Sequence, residues 1–507
     1  MAARTAAARA AGRRHARSRL RPLDGVVAVL LATGAAALRA GPLGPSSLWL
    51  DDAWTALVVR ADSVAEAAAL AVTAPGFGLL LRAWLQAVGF SETAAQLPPF
   101  AFAVLGPPAV YLVGVTVGLR RTAAGVAGLL LLAAPAHLTN ATRVKQYTLD
   151  ALLATGVIAL AWRVLAAPRE AARWATLAAI GTLATLVSAQ IAPVVVAALA
   201  AGLLAARRAG AALGAGLGAT TAYGVLGGAW YLAYLRPSVS PALRAYWSGH
   251  YLDLADGPRA VAAGLVQGLG GVLGALSAVP APFVAVPLLA AAGWALLRRP
   301  AVAVLLAGPL AVTVLLAALR LAPLGGGRTD IVLLPGLALL AAVGVDAAAG
   351  ADRRAAAGLA AAVLAATALA RPDAGSYPSH DVRPLVARME AALRPGDAVL
   401  VYSATRWAYG LYTGFDVAFP PDPRRGTGFD VAVADPRVRI LEPQRHTAER
   451  YAADVSAGIR GAQRVWLLAS GWRGDLAVLE RLIGDRGLVE TSRESRPGGL
   501  LVRWERP

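Results

Sequence analysis

The feature that most constrains this chain is a series of uncharged apolar runs, each roughly 17–23 residues long, separated by short arginine clusters. A helix of that length crosses a hydrocarbon slab ~30 Å thick, and no water-soluble core needs so many of them in succession. With 507 residues, 57% hydrophobic and 15% charged, the chain is too long for one ordinary soluble domain and too apolar for several. A disordered or fibrous chain is excluded, and so is a cytosolic enzyme on one anchor. The sequence predicts a mainly α, polytopic membrane protein.

There are no cysteines, which removes disulfides, thiolate metal sites, iron–sulfur clusters and cysteine nucleophiles. The five histidines form no HxxxH or HExxH pattern, so a histidine-built metal centre is excluded as well. A net charge of +18 does not indicate nucleic acid. Outside the C-terminal region most arginines sit in clusters between apolar runs, where positive charge sets membrane orientation. In this arginine-rich chain Lys145 is the one lysine and Asn140 the one asparagine.

The arginine-rich, acid-free stretch 1–22 precedes the first apolar run and reads as a cytoplasmic signal anchor. Spans are expected at about 23–41, 97–119, 122–138, 147–165, 174–189, 191–206, 211–234, 281–297, 301–319, 330–349 and 355–370. With these eleven, the clusters Arg120–Arg121, Arg163 to Arg173, Arg207–Arg208, Arg298–Arg299 and Arg353–Arg354 all fall inside. The stretches 75–90, with Arg82 and Gln86, and 260–279, Gly-rich with Gln267, must then lie at the outer interface or re-enter. The transmembrane domain is thus 23–370, with a long first outer loop at 42–96. Residues 371–507 change character: 397–403, 429–435, 464–470 and 499–505 read as strands, and 381–394, 447–461 and 475–486 as amphipathic helices. They predict a small C-terminal extracytoplasmic α/β domain.

Three segments carry chemistry. In LWLDDAWTA (48–56), Asp51 and Asp52 follow the first span directly, flanked by Trp49 and Trp54; near an interface such acids need water or a partner, and an ordinary solvated loop is the alternative. In 137–154, Arg143, Lys145, Tyr147 and Asp150 crowd an outer loop that the positive-inside rule should keep free of cations. Arg143 and Lys145 suit a lipid phosphate, or else snorkel to headgroups with Asp150 as their partner. In 323–344, Gly325 to Gly327 precede Arg328 and Asp330; the loop either brings amides to a phosphate or is a turn whose arginine pairs with that aspartate. GxxxxGK[ST] is absent, so no nucleotide is implied. Trp247, His250 and Tyr251 stack on a sugar or belong to an aromatic belt. His380 with Asp381 marks a helix start in the C-terminal domain.

Taken in order, Asp51-Asp52, SETAAQLPPFAFAVLG (91–106), TRVKQYTLDALLA (142–154) and GGGRTDIVLLPGLALLAAVG (325–344) resemble the GT-C superfamily of membrane glycosyltransferases. The nearest likeness is to bacterial relatives of protein mannosyltransferases and of aminoarabinose and rhizobial lipopolysaccharide transferases. The chain departs from the family's usual pattern at Asp52, Gln96 and the PGFG of 75–78. The resemblance implies inverting transfer of a hexosyl or pentosyl group from a polyprenyl-phosphate carrier to a glycan, lipid or protein acceptor of the cell envelope. It implies a bacterial plasma membrane, with the N-terminus in the cytoplasm. Asp51 would be the general base, with Asp52 or Asp150 orienting the acceptor; Arg143, Lys145 and Arg328 would hold the donor phosphate. Tyr147, Trp54, Trp247 and His250 would complete the acceptor side. A divalent ion on Asp51 and Asp52 is compatible with this chemistry without being required. A flippase for lipid-linked glycans and a non-catalytic assembly scaffold are the rival readings; no duplicated halves favour the first.

Overall fold

The computed structural model describes residues 20–351, 354, 358, 380–422, 424–441, 448–471 and 476–507. The span expected at 355–370 and most of the basic N-terminus lie outside these. The first helix, α1 (Pro22–Arg39), starts on a proline, which has no N–H to waste at that position. Its Val29 and Leu30 are about two-thirds exposed, an apolar surface that only lipid would cover. Three short helices follow in the first loop: α2 (Leu50–Val58), α3 (Val64–Leu70) and α4 (Pro75–Val88). α4 has 14 residues, roughly 21 Å at 1.5 Å each, so it falls short of a bilayer, as the charge pattern requires.

α5 (Glu92–Thr116) packs on α1, and α6 (Arg121–Ala133) packs on α5. The expected span 122–138 is broken: Ala134 is extended and α7 (Pro135–Thr139) begins a new direction. Proline is the cause, because it has no N–H to give Leu131 and disfavours helix in the residue before it. The buried Arg39 guanidinium donates instead to the carbonyls of Leu131 and Leu132.

The bundle continues with α8 (Tyr147–Ala166), α9 (Ala171–Val187), α10 (Ala192–Arg208) and α11 (Gly214–Trp230). After the short α12 (Pro241–Tyr246) come α13 (Pro258–Leu276), α14 (Ala281–Arg298), α15 (Pro300–Ala318) and α16 (Leu334–Ala351). Small residues let backbones approach: a Cβ on Gly202 would stand 2.6 Å from the Trp174 ring, and one on Gly114 2.9 Å from Ala124. Among the described residues eight helices are long and apolar enough to cross a membrane, and α6 and α9 are shorter apolar helices. The eight include Pro258–Leu276, which is long and apolar enough to cross, although the charge pattern places 260–279 at the outer interface or as a re-entrant segment.

The C-terminal unit is α/β. It holds α17 (Arg383–Ala392), β1 (Asp397–Val401), α18 (Arg406–Tyr412), β2 (Val417–Ala418), β3 (Ala432–Val433), β4 (Val438–Ile440), α19 (Ala448–Gly458), β5 (Arg464–Ser470), α20 (Leu476–Gly484), β6 (Val489–Arg496) and β7 (Gly499–Glu505). The sheet order is β4-β1-β5-β7-β6, with β4, β1 and β5 parallel and the last two pairs antiparallel. The segment 429–435 supplies only β3, in a separate two-stranded ribbon with β2. β6 is an edge strand whose polar residues gave no apolar alternation to read.

Side-chain alternation sends the two sheet faces to different cores. Ala398, Leu400, Val465 and Leu467 pack under α19 and α20. Val399, Val401, Trp466 and Leu468 join Leu57, Phe77 and Leu81 of the first loop in one continuous core. Hydrogen bonds tie the same face down: the Leu48 N–H donates to the Tyr412 hydroxyl at 2.7 Å, and Arg383 donates to Glu92 at 2.7 Å. The fold is the class the sequence predicts, a polytopic helical bundle carrying a small C-terminal α/β unit.

Candidate active site

A cavity of about 2190 Å³ opens between the bundle and the α/β unit. One part of its lining is apolar, with residues such as Pro193, Val196, Tyr223 and Leu316. The other carries Asp51, Lys145, Tyr147, Trp247 and Arg328, residues scattered over 277 positions of sequence.

Asp51 and Asp52 lie in the first turn of α2, where the helix dipole favours carboxylates. Successive helical positions differ by about 100°, so the two acids face different ways. Asp51 lines the cavity and accepts a hydrogen bond from Arg328 Nη1 at 2.5 Å, each side chain about one-fifth exposed. Asp52 points inward. It is 3% exposed, pairs with Arg143 at 2.9 Å and accepts the Val144 N–H at 3.0 Å. Burial pushes its carboxyl above the usual range, against the pull of Arg143. Neither Asp52 nor Arg143 lines the cavity, so the structure does not bring them to a reacting group; together they pin the loop that carries Lys145.

Lys145 does face the cavity, its ammonium 3.8 Å from the centre of the Trp54 ring. Among the described residues it makes no direct carboxylate ion pair, although the charges of Asp51 and Asp52 reach it. Burial pulls its pKa down to about 8, with the two acids resisting.

Arg328 is delivered by a glycine-rich loop with Gly325 and Gly327 at φ 74° and 69°, a region that favours glycine. Asp330 does not pair with Arg328. Its carboxylate accepts the Gly325 and Gly327 N–H groups at 3.2 and 2.7 Å, so these amides serve the turn and not a phosphate. The loop rests on α13: a Cβ on Gly271 would stand 2.6 Å from the Gly325 carbonyl oxygen. Those contacts account for Gly268 and Gly271 in this helix. Trp247 lies under Arg328, with the guanidinium carbon 5.7 Å from its ring centre.

Two expected acceptor residues are elsewhere. Asp150 is buried in α8 beside Ser188 and does not line the cavity. His250 turns toward α13, its Nδ1 3.3 Å from the Leu324 carbonyl oxygen, and lines a small separate pocket with Gln267. The α/β unit, in contrast, contributes Ser403 and Arg406, which no local pattern marked, and His380, which the sequence marked only as a helix start. A divalent ion does not fit the acid pair. Arg328 and Arg143 engage the two carboxylates separately, and no group of three His, Cys, Asp or Glu gathers among the described residues.

Apolar helices of membrane-spanning length and a cavity whose lining is mostly apolar with a polar part are the features of a polytopic membrane protein. No family model and no curated protein matches the sequence. Among solved structures the chain is similar to ArnT from Cupriavidus metallidurans bound to undecaprenyl phosphate, at 14% identity over 95% of this chain and 97% of that one, TM-score 0.45. It is similar to the apo state of ArnT at 17% identity over 94% and 97%, TM-score 0.43. It is also similar to the archaeal oligosaccharyltransferase AglB from Archaeoglobus fulgidus in complex with an inhibitory peptide and a dolichol-phosphate, at 13% identity over 95% and 74%, TM-score 0.49.

Proposed function

We propose that this chain is a GT-C type membrane glycosyltransferase that moves a sugar from a polyprenyl-phosphate carrier to a cell-envelope acceptor, with inversion at the anomeric carbon. The observation that carries the reading is a cavity-facing carboxylate, Asp51, in contact with one cation (Arg328) and near a second (Lys145) that has no carboxylate ion pair among the described residues, in a cavity whose lining is mostly apolar. The apolar lining suits the polyprenyl chain and the cations its phosphate.

Arriving phosphate oxygens compete with Asp51 for Arg328, and Lys145 adds a second donor. Asp51, released, accepts the proton of the acceptor hydroxyl. The acceptor oxygen forms its bond to the anomeric carbon as the carbon–oxygen bond to phosphate breaks, and that electron pair stays on the phosphate. Arg328 and Lys145 meet the growing charge. Asp52 and Arg143 act at one remove, holding the Lys145 loop. The proposed setting is a bacterial plasma membrane with the α/β unit outside and residues 1–22 inside.

Full-length protein in vesicles, supplied with labelled polyprenyl-phosphate sugars and envelope acceptor, tests this. Asp51→Asn, expressed to the normal level, should lower transfer by at least about 100-fold. Transfer at the wild-type rate in that variant would overturn the assignment of the base. Delivery of intact donor across the bilayer without transfer would overturn the reaction itself.

A further inference from the structure

The α/β unit has its own ligand-binding geometry. β1 has β4 on one side and β5 on the other, all three parallel. The chain leaving β1 enters α18 on one sheet face, and α20, which follows β5, packs on the other. The loops leaving β1 and β5 therefore diverge, and in open α/β sheets such a switch point opens a crevice at the carboxyl ends of the strands. Here Tyr402, Ser403 and Ala404 follow β1 and Gly471 follows β5, and all four line the same cavity as Asp51.

A second observation is independent of topology. His380 borders this crevice, is 4% exposed, and its Nδ1 has no hydrogen-bond partner among the described residues. Its ring packs edge-on to Trp49, centroids 6.4 Å apart, two residues before Asp51. A Cβ on Gly471 would stand 2.9 Å from the His380 ring, so the glycine keeps the imidazole at the crevice mouth. Burial and the charge of Arg143 hold that imidazole neutral, with a pKa of about 4, able to donate from one nitrogen and accept at the other.

Resting on the transferase reading, we propose that this crevice is the acceptor subsite, that it takes a polyhydroxylated sugar ring of an envelope glycan, and that His380 and Ser403 bind the ring's hydroxyls. A neutral imidazole, a serine hydroxyl and an indole edge match the hydrogen-bonding and apolar faces of a sugar.

The chain has no native cysteine, so Ala404→Cys gives one reactive thiol on the crevice wall of the full-length protein. Conjugation with a bulky maleimide should cut transfer to envelope glycan at least tenfold and leave undecaprenyl phosphate binding within twofold. His380→Ala should raise the KM for glycan about tenfold with kcat little changed, and His380→Gln, which keeps both hydrogen-bonding roles, should restore much of it. Equal transfer before and after conjugation overturns the subsite and leaves the proposed reaction standing. Loss of carrier binding on conjugation overturns it too, by assigning the crevice to the donor. If the wild-type protein transfers nothing, the proposed reaction fails. Shielding of the Ala404→Cys thiol from maleimide by added envelope glycan then still supports the crevice, and unshielded labelling overturns it.

Discussion

At the scale of single residues, the two cations beside Asp51, Lys145 and Arg328, differ in a way that pH will expose. Lys145 titrates at about 8 in the folded protein, below the ordinary lysine value of 10.5. Its charge is therefore present below pH 8 and lost as pH rises through it, so affinity for undecaprenyl phosphate should fall between about pH 7 and 9. Lys145→Arg should flatten that dependence, because a guanidinium stays charged. A titration of carrier affinity against pH checks both. The buried acid has a structural role: Asp52→Asn leaves Arg143 without its buried charge partner and should destabilise by about 3 kcal/mol, read as a lower melting temperature.

Asp51, Lys145 and Arg328 were legible in the sequence because each breaks a local rule: acids at a span end, cations on an outer loop, an arginine after three glycines. The roles of Asp52 and Arg143 were not. Adjacent residues look equivalent in one dimension, and only the helical turn of α2 sends one to the cavity and the other inward. His380 and Ser403 stayed unread as site residues because no spacing rule connects them to position 51.

At the scale of elements, glycines in α13 should behave in two ways. Gly274 has open space where a Cβ would go, so Gly274→Ala should stabilise the helix by up to about 1 kcal/mol and leave transfer intact. Gly271→Ala gains the same propensity but meets the Gly325 backbone, which must shift and carry Arg328 with it. Transfer should drop at least tenfold in the second variant alone; matched activities would disprove the seat proposed for the loop. Apolar length foretold most helices of the bundle. It overlooked the break at Ala134-Pro135, where proline's missing N–H outweighs hydropathy.

At the scale of the molecule, charge parity argues for an external C-terminus, and a reporter fused after Pro507 should be exported; cytoplasmic activity of that reporter would invert the topology. The separation between transmembrane and C-terminal parts was visible as a change of composition. Their shared core was not, because Val399 and Trp466 look like ordinary strand residues until Leu57 and Phe77 are seen against them.

The cavity wall runs from Trp49 to Gly498, so about 450 residues of synthesis separate its first and last pieces. At roughly 5–20 residues per second, a ribosome needs on the order of half a minute or more between making the base and making the far wall. During that interval the nascent chain holds a carboxylate with no enclosed chamber around it, and the proposed transfer would have to wait for the last-made wall.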